Sequence, residues 1–234
     1  MTEASAPGLD LEQAKQDIEQ AIRNRPRLRG VSHQWAFFIS LALGIPLVIT
    51  APSGKATLAA AIYAACVTLL FGASALYHRI TWRTDGARRW MRRLDHSAIF
   101  LLIAGTYTPF ALLVLHGSLA DVVLAVVWSG AVGGILLKLL WIDAPKWLAA
   151  VIYVALGWVA VAVTPDLVSQ VGVVASILVA AGGILYTLGA VTYALRRPDP
   201  VPTVFGYHEV FHALVIIAAA LQYAVIAFWV IPQA

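Results

Sequence analysis

Residues 206–231 read GYHEVFHALVIIAAALQYAVIAFWVI, a short polar opening followed by a long apolar run. A membrane-spanning helix needs about 20 predominantly apolar residues, which this stretch supplies. His208 and His212 in the opening lie about 6 Å apart along a helix and about 40° apart around it. Two imidazoles so placed can bind one metal ion. The stretch therefore predicts a membrane helix that carries two metal ligands near its start.

The same opening matches the His-Glu-x-x-His pattern of zinc metalloproteases, in which the glutamate is the general base. So short a pattern recurs by chance, and a third ligand is needed to give it weight. Two structural interpretations stay open. His208 and His212 can be polar residues where a helix leaves the headgroup region, and Glu209 can be a solvated residue at a helix start, where the dipole favours negative charge.

The whole chain has the composition of a polytopic membrane protein. Of its 234 residues, 61% are hydrophobic and 12% are charged, which is too apolar for an ordinary soluble domain. Seven stretches are candidate spans, at residues 35–51, 57–77, 96–115, 122–140, 147–164, 167–195 and 208–231. Backbone polar groups in lipid must be satisfied within their own segment, so we expect helices. The prediction is an all-α integral membrane protein with a seven-transmembrane helix bundle over residues 31–234.

Residues 1–30 form a separate arm in this interpretation. Apolar residues recur at helical spacing between Leu11 and Ile22, which predicts a short amphipathic helix on the membrane surface. Of the sixteen Lys and Arg residues, only Lys55 falls on one side of the spans and the other fifteen fall on the opposite side. The positive-inside rule makes the basic side cytoplasmic, with the N-terminus inside and the C-terminus outside. We therefore expect a cytoplasmic (inner) membrane protein that binds no nucleic acid.

Polar residues of three spans reach the same depth in this orientation. They end the second span and begin the third and seventh, and are Ser74, His78, Asp95, His96, His208 and His212. Ionisable residues within spans usually face the bundle interior and mark a functional site. A catalytic zinc site has three protein ligands and a fourth position open to water. We expect His78, His208 and His212 to bind zinc, with Asp95 and Ser74 completing a catalytic site.

Three other histidines are expected outside the zinc site. His96 follows Asp95 directly, and neighbours on a helix point about 100° apart, so the two should not both face the site. His33 lies just before the first span, and His116 lies at the outer end of the third. Structural interpretations stay open for Ser74, as a small polar residue at a helix contact, and for Asp95, as the N-cap of the third span.

Three motifs in the chain resemble the bacterial hemolysin III family. They are SALYH at residues 74–78, LDHSAIFLLIAGTYTP at residues 94–109 and FGYHEVFH at residues 205–212. The family is related to the progestin and adipoQ receptors and, more remotely, to the alkaline ceramidases. The resemblance covers the chain from about residue 30 onward and leaves out the N-terminal arm.

The resemblance implies a seven-helix bundle with zinc near the cytoplasmic face. Its three histidine ligands correspond to His78, His208 and His212. The family's serine and aspartate correspond to Ser74 and Asp95, the latter near the zinc-bound water. Animal receptors of the group generally lack a glutamate after the first histidine of the last motif, so the resemblance carries no catalytic role to position 209.

Four functions follow from these patterns. The first is a zinc-dependent hydrolase of a lipid amide or ester, in which Asp95 orients water or takes its proton and Ser74 supports the site. The second is a receptor-like or membrane-homeostasis protein whose zinc is structural. The third, suggested by the family name, is cytolysis, although no polar stripe along the spans would line a pore. The last is an intramembrane protease with Glu209 as base. Membrane lipids are the expected partners, and the sequence leaves the oligomeric state open.

Overall fold

The computed structural model describes residues 26–234, which fold into a bundle of seven helices, six of them long. The helices are α1 (Val31–Ile49), α2 (Gly54–Arg79), α3 (Asp85–Leu113), α4 (Gly117–Leu140), α5 (Lys146–Gly157), α6 (Thr164–Leu195) and α7 (Tyr207–Val225). A single turn, Val159–Ala162, continues α5 after a break, and the short turns Ile226–Val230 and Ile231–Gln233 continue α7. The predicted amphipathic helix of the arm lies outside the described residues.

Six of the seven predicted spans coincide with helices that are long and apolar enough to cross a membrane. The exception is the predicted span at residues 147–164, where the apolar helix Lys146–Ala162 is shorter. The prediction of an all-α membrane protein is confirmed. The prediction of one membrane-length helix at the fifth position was wrong, because the helix breaks after Gly157.

Tyr107 of α3 stabilises the break in the fifth helix. Its hydroxyl donates a hydrogen bond to the carbonyl oxygen of Gly157 at 2.5 Å and accepts one from the backbone N–H of Ala160 at 2.7 Å. A broken helix in lipid needs such partners, because no water is present to satisfy its backbone. The break is therefore held by a side chain from a neighbouring helix.

The third helix begins well before the predicted start at residue 96. The side chain of Thr84 caps it by accepting a hydrogen bond from the N–H of Ala87 at 3.2 Å. In its third turn, Arg93 Nε donates to the Leu139 carbonyl oxygen at 3.0 Å near the end of α4, and Arg92 donates to the Ile142 carbonyl oxygen just after α4 at 3.3 Å. Asp95 consequently lies inside the helix and is not an N-cap.

Glycines allow the helices to approach closely, because they carry no side chain. A Cβ on Gly134 would lie 2.2 Å from the ring of Phe100, and one on Gly130 would lie 2.4 Å from Leu156. Phe100 is fully buried, so its ring cannot withdraw. These contacts fix α4 against α3 and the fifth helix.

One end of the bundle, called the histidine end below, joins the start of α1, the end of α2 and the start of α7. Arg79 Nε donates to the side chain of Gln34 at 3.0 Å there. The N–H groups of Arg27 and Leu28 bind the carbonyl oxygens of Thr203 and Val204 at 3.0 and 3.1 Å. The chain before α1 is thus pinned to the loop before α7.

Candidate metal centre

Three imidazoles meet at the histidine end and form the histidine cluster, His78, His208 and His212. One ring nitrogen of each lies within 4.8 Å of the other two, and all three side chains are buried. The Nε2 atoms of His78 and His208 are 3.2 Å apart. The structure thus brings together the three residues that the sequence selects as ligands, and their role as metal ligands stays a prediction.

Local structure at two helix ends positions these rings. His208 and His212 occupy successive turns at the start of α7, where the Asp199 carboxylate accepts a hydrogen bond from the Tyr207 N–H at 2.7 Å. His78 lies in the last turn of α2. A Cβ on Gly30 would lie only 2.5 Å from the Cβ of His78, so a residue without a side chain is needed next to it.

Asp95 and Ser74 lie beside the histidine cluster, as predicted. The Oδ2 atom of Asp95 is 3.6 Å from His78 Nε2, and the carboxylate is buried. Ser74 is also buried and lies next to Asp95, although its hydroxyl lacks the geometry of a direct hydrogen bond. The arrangement places a carboxylate and a hydroxyl within reach of a group bound at the imidazoles.

His96 lies next to the site but both of its ring nitrogens are engaged. Nδ1 is 2.7 Å from the carbonyl oxygen of Arg92, so it carries the proton in this pairing. Nε2 then accepts a hydrogen bond from the Tyr193 hydroxyl at 3.1 Å. His96 and Asp95 both line the long cavity, but His96 is not part of the histidine cluster, in line with the expectation that it lies outside the zinc site.

His33 was wrongly expected to lie away from the cluster. Its ring stacks on that of His212 with centroids 3.6 Å apart and planes 6° from parallel. The side chain is 2% exposed, and neither ring nitrogen has a hydrogen-bond partner among the described residues. The predicted topology could have indicated that His33 lies near the cluster, because the first span starts at the same membrane face as the seventh.

Glu209 is neither a solvated residue nor a base turned toward the cluster. Its Oε1 atom lies 2.7 Å from Arg29 Nε, with the glutamate 2% and the arginine 17% exposed. Its Oε2 atom accepts a hydrogen bond from the Gly206 N–H at 2.9 Å. Both oxygens are therefore used to start α7 and to hold the chain before α1, which contradicts the expectation of solvation.

An apolar cavity extends from the histidine end into the bundle. Asp95, His208 and His212 line it at that end, and Leu115 and Leu167 line its far part. Asp95 and Leu115 are both on or just after α3, and twenty residues of helix are about 30 Å long. The cavity therefore follows most of the depth of a bilayer core and opens onto the polar site at one end.

His116 is exposed before α4 at the opposite end of the bundle, as expected. Lys138 is one of the fifteen basic residues predicted to lie on the cytoplasmic side. Its side chain is buried near the end of α4. No hydrogen bond or ion pair of its amine is found among the described residues. The sequence does not predict the burial of Lys138, because a basic residue at the end of a span is usually exposed to the headgroups.

Comparison with known proteins places the chain among membrane proteins of one family. A family model described as "Haemolysin-III related" matches residues 22–223. Hemolysin-3 of Bacillus cereus is 33% identical over 208 residues, covering 87% of this chain and 91% of that protein. The Hemolysin-3 homolog of Bacillus subtilis (strain 168) is 32% identical over 168 residues, covering 72% and 75%.

A more distant human protein also matches. The monocyte to macrophage differentiation factor of Homo sapiens is 26% identical over 165 residues, which cover 69% of this chain and 66% of that protein. The described match between residues 22 and 223 includes all of the polar residues assembled at the histidine end.

Proposed function

The chain belongs to the haemolysin-III-related family of membrane proteins, and on that premise we propose that it is a zinc-dependent hydrolase of a lipid amide or ester. One observation carries the proposal. Three buried imidazoles and a buried carboxylate lie together at the end of a long apolar cavity. A lipid can place its apolar chain in such a cavity and its polar linkage at the imidazoles.

The chemistry and spacing of the imidazoles suit zinc. Two nitrogens bound to a tetrahedral zinc ion at about 2.05 Å are about 3.3 Å apart, close to the 3.2 Å between His78 Nε2 and His208 Nε2. His212 lies within 4.8 Å of both. Zinc bound by these three residues would supply a Lewis acid that polarises a carbonyl and acidifies water. The donor set also suits other transition metals, and zinc is the one we propose.

Asp95 is the general base and acid of this proposal. Hydrolysis adds water to the carbonyl carbon and breaks its bond to the amide nitrogen or ester oxygen, releasing a fatty acid and an amine or alcohol. Asp95 takes the proton of the attacking water and returns a proton to the leaving atom. Its position 3.6 Å from His78 Nε2 supports this role. Ser74 supports the site from beside the carboxylate.

We infer that the protein lies in the inner membrane with the histidine end at the cytoplasmic face. The arginines of the segments around Arg79, Arg92 and Arg196 all lie at this end, whereas Lys55 lies at the other. Basic residues accumulate on the cytoplasmic side of membrane proteins. The proposed substrate is therefore cleaved near the cytoplasmic leaflet, and membrane lipids are the proposed partners.

The experiment is lipid turnover by purified protein in liposomes that carry fluorescent N-acyl and O-acyl lipids. Release of fluorescent fatty acid is measured for wild type, Asp95→Asn and Asp143→Asn, together with the metal content of each. We expect Asp95→Asn to retain metal and lose at least about 100-fold in rate, since general acid–base groups contribute that much. Asp143→Asn is the control, because Asp143 is exposed and lies away from the cavity.

Equal rates for Asp95→Asn and wild type would contradict the hydrolase mechanism. Metal-loaded wild type that cleaves none of the lipids would favour a receptor-like or membrane-homeostasis protein with a structural metal. The imidazoles come from α2 and α7, so a metal there would join two helices distant in sequence. In that case removal of the metal lowers the unfolding temperature while no lipid is consumed.

Cytolysis is the second candidate, because two relatives are named Hemolysin-3 and Hemolysin-3 homolog. The test is release of an encapsulated dye from liposomes that contain the protein. Dye release that survives His78→Ala and Asp95→Asn would favour cytolysis over hydrolysis. Absence of release at protein-to-lipid ratios that support lipid turnover would remove it.

A further inference from the structure

We propose that the apolar cavity contains a second, polar subsite, formed by Gln222 and Tyr186, that binds a hydroxyl group partway along a lipid chain. If this subsite is present, the substrate class of the proposed hydrolase is a lipid with a mid-chain hydroxyl. The subsite rests on that proposed function only in placing the head of the lipid at the histidine cluster.

Gln222 of α7 is a buried amide with one atom left unbonded. The side chain is 5% exposed and lines the cavity. Its Nε2 atom donates to the carbonyl oxygen of Val179 at 3.1 Å, which fixes the orientation of the amide. Its Oε1 atom has no hydrogen-bond partner among the described residues. An unpaired buried polar group is unfavourable, so the amide oxygen favours a ligand that donates to it.

Tyr186 of α6 supplies a second unbonded polar atom to the same cavity. Its hydroxyl is buried and has no partner among the described residues. Gln222 packs on Gly182, one turn before Tyr186, where a Cβ would lie 2.6 Å from Gln222 Nε2. Helical side chains lean toward the N-terminus, so the Tyr186 ring leans back toward the turn that holds Gln222.

Tyr63 of α2 has another unsatisfied hydroxyl in the bundle interior, although it does not line the cavity. The side chain is buried, its hydroxyl has no partner in the described part of the chain, and Tyr186 is among its electrostatic neighbours. Within the cavity, α6 and α7 thus supply two unbonded polar atoms, those of Tyr186 and Gln222. Such atoms are rare in native structures and call for a bound group.

The chemistry of these atoms selects a hydroxyl. A glutamine oxygen only accepts hydrogen bonds, whereas a tyrosine hydroxyl donates one and accepts others. A ligand hydroxyl can donate to Gln222 Oε1 and accept from Tyr186 at the same time. A keto group can only accept, and a methylene group can do neither, so neither satisfies both residues.

The position of the subsite predicts where on the chain the hydroxyl lies. Gln222 follows His212 by ten residues of α7, which corresponds to about 15 Å along the helix. An extended chain with bonds of about 1.5 Å advances about 1.25 Å per bond. A head at the histidine cluster therefore brings roughly the twelfth carbon of the acyl chain to Gln222.

The test is binding of 12-hydroxystearate, 2-hydroxystearate and stearate, which are fatty acids of the class that the proposed hydrolysis releases. Each displaces a fluorescent fatty acid from full-length protein in nanodiscs. We expect 12-hydroxystearate to bind about fivefold to tenfold more tightly than the other two, as about one net hydrogen bond predicts. Gln222→Leu should abolish the preference for 12-hydroxystearate over stearate, because it removes the oxygen that accepts the ligand hydroxyl.

Two further variants keep the test decisive if Gln222→Leu folds poorly. Tyr186→Phe removes only a hydroxyl and should reduce the preference. Thr187→Val is the matched control, because Thr187 also lines the cavity but its hydroxyl already donates to the Gly183 carbonyl oxygen at 2.9 Å. Its preference should equal that of wild type.

Equal affinity of wild type for 12-hydroxystearate and stearate would overturn the subsite, since water then satisfies these atoms. Absence of binding by all three fatty acids would overturn it too, together with the lipid cavity. A preference that depends on Gln222 in a protein without lipid turnover would support the subsite and separate it from the failed hydrolase proposal.

Discussion

Arg29, Asp95 and Glu209 are ionisable residues within or beside the membrane helices, and their neighbours give them different roles. Glu209 is paired with Arg29 at 2.7 Å and also caps its own helix. Asp95 has no arginine or lysine in ion-pair contact among the described residues and lies beside His78. A paired carboxylate holds structure, whereas one beside imidazoles is available for proton transfer.

We expect Glu209→Gln to lower the free energy of unfolding without abolishing lipid turnover. Breaking a buried ion pair costs about 3–5 kcal/mol, because the remaining charge is left unpaired. Thermal unfolding in detergent measures the loss. Asp143→Asn is the control, since Asp143 pairs with Arg92 at the same 2.7 Å but is 72% exposed, and exposed pairs contribute less than about 1 kcal/mol. Lost turnover in a Glu209→Gln protein of unchanged stability would instead make Glu209 a base.

Gly30 permits the approach of the chain before α1 to His78. It has a φ of 77°, and a Cβ would lie 2.5 Å from His78 Cβ. We expect Gly30→Ala to weaken metal affinity about tenfold, the lower range for residues that support ligands. Gly117→Ala is the matched control, because Gly117 has a φ of 60° but nothing within 4 Å. Equal affinities in a metal-binding titration would contradict the account.

The sequence predicts the residues whose position follows from a helix end, and misses those set by three-dimensional contact. His208 and His212 share a face by spacing alone, and Asp95 follows from topology. The stacking of His33 on His212 and the pairing of Arg29 with Glu209 join residues about 180 positions apart. No local pattern in the sequence encodes contacts between residues so far apart.

The helices themselves depend on close contacts at glycines. Gly134 lies against the ring of Phe100, whereas its neighbour Gly133 has nothing within 4 Å. We expect Gly134→Ala to lower stability by about 1–3 kcal/mol, the usual effect of overpacking. Gly133→Ala should leave it unchanged or raise it slightly, because alanine favours helix. Equal melting temperatures of the two variants would contradict the packing of α3 on α4.

Helix boundaries were predicted less well than helix existence. Apolar length finds the spans, but the polar first turns of α3 from Asp85 carry no such signal. The break after α5 depends on the hydroxyl of Tyr107, which is distant in sequence. Tertiary hydrogen bonds therefore decide where helices begin and break, and apolar composition decides only where they cross the membrane.

The proposed orientation of the whole molecule rests on the distribution of charge and is tested by labelling. In a Cys66→Ala background, we expect Lys55→Cys to react with a membrane-impermeant maleimide on intact cells. Arg83→Cys, in the loop between α2 and α3, should react only after permeabilisation. The reason is that basic segments are retained on the cytoplasmic side. The reverse pattern would place the histidine end outside the cell.

The architecture of the whole molecule was predictable as far as a helical membrane bundle with three histidines at one end. The cavity was not, because its wall depends on which faces turn inward in six helices. The unbonded oxygen of Gln222 was equally hidden, since a lone glutamine in an apolar run has no partner that spacing can identify.

The central claim is that the histidine cluster binds a metal, and elemental analysis of purified protein tests it most directly. The wild type is compared with His78→Ala, His208→Ala and His212→Ala, with His116→Ala as the control at the opposite end of the bundle. We expect about one zinc per chain in wild type and His116→Ala, and its loss in the other three. Well-folded wild type that takes up no zinc from a zinc-containing buffer would contradict the claim.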